Sequence, residues 1–124
     1  MAISISTVLG SGSSKTIINT DVSDISLVNN GAITLQAIEI DNGSNTSASY
    51  IHLYNVNATT SVTAGTTAPT MVLPCPESAK IDYVFPQGLT FNTGIVMLGT
   101  SNFEAVTYTT TAPSNAVSVK MILG

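Results

Sequence analysis

Few side chains in this 124-residue sequence can carry chemistry, so they are soon weighed. His52 is the only imidazole. A metal site built on it would need three or four ligands, and its neighbours at strand spacing are Tyr50 and Tyr54 rather than carboxylates. Cys75, the single cysteine, stands between Pro74 and Pro76. A Cys–His nucleophile requires a lowered thiol pKa, but there is no arginine nearby and Glu77 acts in the wrong direction. Cys75 therefore reads as a small apolar residue at a strand end, and His52 as an exposed or interface histidine. Glu39 and Asp82 are candidate carboxylates, yet no spacing makes them a glycosidase-like pair. Asn19, Asp21, Ser23 and Asp24 offer oxygen ligands for calcium but lack the D-x-[DN]-x-[DN]-G order, so an exposed acidic turn is the default. Asn42, Asn45 and Asn57 each begin an N-x-S/T sequon, a chance match expected in so hydroxyl-rich a chain. The expectation is no catalytic residue, no metal and no cofactor. Tyr50, His52 and Tyr54 alternate onto one strand face, where such a row fills a core, pairs subunits or stacks sugar rings.

Composition narrows the function further. Serine and threonine make up 33 of the 124 residues, while only 8% are charged, against roughly 25–35% of an ordinary soluble surface. Between Asp41 and Glu77 there is no acid, lysine or arginine. With three lysines and a net charge of -4, the chain cannot neutralise a run of nucleic-acid phosphates or dock on anionic lipid. No apolar run is long enough for a spanning helix, and Met1–Ser6 has neither a basic n-region nor a continuous apolar h-region. A lone cysteine rules out an internal disulfide framework. The surface must be wetted by hydroxyls and amides or covered by other subunits.

The elements that position these residues read as strands. Ile3, Ile5 and Val8 open an extended arm over residues 1–14, which ends in the Gly/Ser-rich joint Gly10–Ser14. Residues 15–124 alternate with a period of two. Short strand candidates fall at Thr16–Asn19 and Ile25–Val28, and strands are predicted at Ala32–Asp41, Tyr50–Val56, Thr70–Leu73, Lys80–Phe85, Ile95–Gly99, Val106–Thr110 and Val117–Leu123, with Leu89–Asn92 leading into Ile95–Gly99. Asn29-Asn30-Gly31 carries hairpin-turn chemistry, and Pro74-Cys75-Pro76 and Pro86-Gln87-Gly88 are expected to stop strands. The phase change between Leu35 and Ile38 predicts a bulge, or a strand covered on both sides. Such spacing predicts an all-β fold: one antiparallel β-sandwich or jelly-roll-like domain of eight or nine strands.

One stretch carries a resemblance. Ala68-Pro69-Thr70-Met71-Val72-Leu73-Pro74 is followed by Ile81–Phe85 and then by Pro86-Gln87-Gly88-Leu89-Thr90-Phe91-Asn92-Thr93-Gly94-Ile95. The succession F-P-x-G-L-x-F-x-x-G-I, within about a quarter of the chain, resembles segments of small β-rich structural proteins of tailed bacteriophages, among them capsid decoration (cement) proteins. That resemblance implies a non-enzymatic virion component, assembled in the host cytoplasm, whose partner is the major capsid protein or another virion protein. In that role the chain is expected to form a homo-oligomer, a trimer by preference, with Ile3, Ile5 and Val8 of the arm adding a strand to a neighbour's sheet edge and with further contacts through Tyr50, His52 and Tyr54. The alternatives are a tail, baseplate or head-fibre module touching the host surface, or a carbohydrate-binding sandwich using Tyr50 and Tyr54.

Overall fold

The computed structural model describes residues 3–7, 15–103 and 111–124. Among them the chain is all-β, with no α-helix. The strands are β1 (Ile3–Thr7), β2 (Lys15–Asn19), β3 (Ser26–Asn30), β4 (Ile33–Asp41), β5 (Ser49–Tyr54), β6 (Met71–Cys75), β7 (Lys80–Phe91), β8 (Gly94–Thr100) and β9 (Ser118–Leu123), with one 3-10 turn at Thr59–Ser61. They form two antiparallel sheets, ordered β1-β2-β9-β4-β7 and β3-β8-β5-β6. The architecture is sandwich-like. One core cluster draws Ile17, Leu35, Ile38, Met121 and Leu123 from the first sheet and Ile51, Leu53, Leu73, Ile95 and Met97 from the second.

The pairings follow a nested rule. β5 pairs with β6, β4 with β7, β3 with β8 and β2 with β9. Every loop around the innermost pair therefore brings together strands progressively farther apart in sequence. The β4·β9 and β5·β8 contacts then join these ribbons side by side.

Local chemistry accounts for most strand bounds. In β9, Val119, Met121 and Leu123 are buried while Lys120 and Ile122 are exposed, which is the alternation the sequence predicts. The phase change in β4 is a bulge. Leu35 faces Leu89 and Ala37 faces Val84, so Phe85, Pro86, Gln87 and Gly88 all lie opposite Gln36. Ala37 is thereby moved to the outer face, while Leu35, Ile38 and Ile40 stay in the core. Gly88 serves this bulge, with φ +76° and a would-be Cβ only 2.2 Å from Thr34 Cγ2.

Three expectations need correction. Pro86–Gly88 does not close a strand; β7 runs through it, because β7 is an edge strand where a missing amide costs no ladder bond. Pro74 likewise lies inside β6, the other sheet's edge, opposite Tyr50. Asn29-Asn30-Gly31 makes no hairpin. Gly31 turns at φ +113°, but β3 pairs with β8 while β4 pairs with β7 and β9, so the turn carries the chain from one sheet to the other. The expected strand Val106–Thr110 lies outside the described residues, as do Val8 and the joint Gly10–Ser14.

Candidate functional site

Two members of the aromatic row, His52 and Tyr54, are covered by the chain itself. Along β5, Ile51 and Leu53 enter the core between the sheets. Tyr50, His52 and Tyr54 point from the opposite face of the same sheet. There Tyr54 packs with Val62 of the segment after β5 and with Val96 and Leu98 of β8 in a second buried cluster, flanked by Ile25 and Val56. His52 stacks near Tyr54 (centroids 6.5 Å apart) and meets the edge of Phe103 at 5.5 Å. His52 and Tyr54 are 1% and 2% exposed, and Tyr50 is partly buried. The exposed or interface histidine expected from sequence is thus an interior one. A platform for sugar rings on Tyr54 is excluded by the same cover.

Hydrogen-bond counting fixes the His52 tautomer. The Thr100 hydroxyl donates its one proton to the Asn102 carbonyl at 2.6 Å. Its contact with His52 Nε2 at 2.8 Å must therefore be donated by the ring. Nδ1 is then a bare acceptor, buried and without a hydrogen-bond partner among the described residues. Burial lowers the imidazole pKa from 6.5 to about 4, so the ring is neutral at pH 7.

Cys75 belongs to the core between the sheets, on the face of β6 opposite to the one that His52 occupies on β5. Its Sγ lies 3.5 Å from the Ala79 carbonyl and 3.7 Å from that of Ile40, and burial pushes the thiol pKa up. The sheet separates it from His52, so the two form no nucleophile–base pair. At the acidic turn, Asp21 accepts bonds from the Ser23 hydroxyl (2.7 Å) and amide (3.1 Å), and the former chiefly lowers its pKa. The turn closes on itself, and the described residues contain no group of three or more His, Cys, Asp or Glu suited to a metal.

Two of the sequon asparagines are structural. Asn42 is fully buried; its amide donates to the Ser47 and Pro76 carbonyls at 3.0 and 2.9 Å, and its Oδ1 accepts from Asn45 (2.9 Å) and Ser49 (2.7 Å). Asn45 extends the network to the Asn115 backbone, donating to its carbonyl at 3.0 Å and accepting from its amide at 2.8 Å. Both side-chain nitrogens are engaged inside the fold, so neither is open to glycosylation. The network ties the β4–β5 crossing to the segment leading into β9.

The arm folds back on its own chain. Ile3 lies opposite Asn19 and Ile5 opposite Ile17, so β1 adds an edge strand to β2 of the same molecule. The sequence suggests a strand reaching a neighbour; here the edge it would seek is its own.

One surface escaped the sequence reading. On the outer face of the five-stranded sheet, Ile122, Ala37 and Val84 form one cross-strand row, and Lys120, Glu39 and Asp82 form the next. Glu39 Oε1 is 3.9 Å from both Lys80 and Lys120. With Asp41, half of the chain's ten charged residues stand on this face. The alternations Lys120/Ile122 and Asp82/Val84 carried the signal, but only the pairing of β4 with both β7 and β9 brings them together.

No protein-family model, curated protein or solved structure matches the chain.

Proposed function

We propose that this protein is a non-enzymatic structural component of a phage particle, a decoration protein that binds and stabilises a capsid lattice. The observation that carries the reading is the nested set of pairs β2·β9, β3·β8, β4·β7 and β5·β6. A long hairpin ribbon wrapped into two facing sheets is the arrangement of a jelly roll, an architecture common to viral capsid and lectin domains. Fold alone does not give function, and features of the surface support the first of those two uses. Tyr54, the aromatic that a lectin-like site would display, is covered. The resemblance of residues 68–95 to tailed-phage structural proteins supports the capsid side. The hydroxyl-rich, weakly charged exterior suits a crowded lattice, since it generates little like-charge repulsion between copies.

In this reading the protein acts through buried area and shared contacts with the major capsid protein, as a homo-oligomer, and His52 and Cys75 serve the interior. Quantitative mass spectrometry of purified particles tests it: hundreds of copies per particle are expected, and particles lacking the protein should release their genome at a lower temperature. A few copies confined to the tail would overturn the reading in favour of a tail or fibre module.

A further inference from the structure

We infer that the outer face of the five-stranded sheet is a two-fold interface between copies of this chain, with the axis running along β4. Among the described residues the exposed large hydrophobics are Leu27, Val84 and Ile122, and two of these three share this face, at 67% and 43% exposure for Val84 and Ile122. They are not scattered. Ala37 is the cross-strand partner of both, so a small residue on β4 stands between two large ones on β9 and β7. The result is an apolar groove of about 310 Å³. One step along β4, Glu39 is likewise flanked by Lys120 on β9 and Asp82 on β7.

This pattern is complementary to itself. In an isologous contact residue i meets j and j meets i. Rotation by a half-turn about β4 lays the β7 of one copy over the β9 of the other. Val84 then meets Ile122 twice, and Asp82 meets Lys120 twice, with opposite charges facing at both places. The two Glu39 side chains approach near the axis, but each already lies 3.9 Å from two lysines of its own chain, Lys80 and Lys120. Stacked sheets tolerate a rotation of about 30° between strand directions without losing this register near the axis. A three-fold or head-to-tail contact would not bring both pairs together reciprocally. The occupant of the groove is therefore a second copy, and the trimer expected for the decoration role gives way to a dimer.

The inference refines the homo-oligomer within the reading above, and the two fail separately. Sedimentation velocity of the full chain at micromolar concentrations should show a dimer. Lys120→Glu and Asp82→Lys should each weaken it about tenfold, whereas the double variant should recover most of the loss, as expected for a close interfacial charge pair. Val84→Lys should give a monomer that keeps the wild-type β-sheet circular-dichroism spectrum, with a thermal midpoint that no longer depends on protein concentration. A wild-type monomer, a trimer, or a double variant no better than the singles would overturn the interface. A monomer that still coats particles would overturn this interface alone; a dimer absent from particles would overturn the capsid reading alone.

Discussion

His52 is held neutral by its surroundings, and that has a measurable effect on stability. Its folded pKa, about 4, lies below the unfolded value of 6.5. Between these values the unfolded chain binds the extra proton, so the stabilisation is complete above pH 6.5 and is lost as pH falls towards 4. Two and a half pKa units correspond to about 3 kcal/mol at full extent. Urea midpoints measured between pH 7 and pH 4.5 should fall for the wild type and stay nearly level for His52→Leu over the same range. Asn42 is the other residue whose removal should be felt throughout. Asn42→Ala leaves the Ser47 and Pro76 carbonyls and the Ser49 hydroxyl short of partners, and should cost about 3 kcal/mol in urea unfolding. Neither role was legible locally. A period-two row at Tyr50, His52 and Tyr54 shows that three side chains share a face, but not what lies over that face. Val62, the one large aliphatic residue between Val56 and Met71, was the available hint of a cover. Asn42 resembled any turn asparagine until Asn45, Ser49 and Pro76 were brought round it.

Alternation and breakers located the elements well where the decisive contacts are local. β9, β5 and the bulge in β4 follow from side-chain periodicity, because burial on one face punishes a slip of register at once. The ends of β6 and β7 differ from those the prolines predict, since a proline stops a strand only if its amide is needed, and edge position cannot be read without the sheet order. The Asn29–Gly31 turn failed for a related reason: turn chemistry fixes a reversal but not whether the next strand pairs with the last. Gly94 shows how tightly one such crossing is made. A Cβ there would come within 2.6 Å of the Asn29 carbonyl oxygen and 2.7 Å of that of Val56. Both are backbone atoms, so no rotamer change relieves the contact. Gly94→Ala should destabilise by about 2–3 kcal/mol in urea unfolding, although alanine normally favours a folded chain over glycine.

At the scale of the molecule, the scarcity of charge noted in the sequence becomes a matter of distribution. Half of the ionised side chains gather on one face, and hydroxyls and amides wet much of the rest. The nested pairing also governs how such a chain can be made. β9 lies between β2 and β4, opposite Lys15–Asn19 on one side and Leu35–Asp41 on the other. While the ribosome is still translating residues beyond β8, the second sheet has all its strands but the first is split, with β1·β2 and β4·β7 held apart by a one-strand gap. The emerging chain therefore carries two open, hydroxyl-fringed strand edges until β9 clears the exit tunnel. Contacts of such long sequence separation close slowly. In a crowded cell, this late strand sets the interval during which nascent copies are exposed to mispairing with one another.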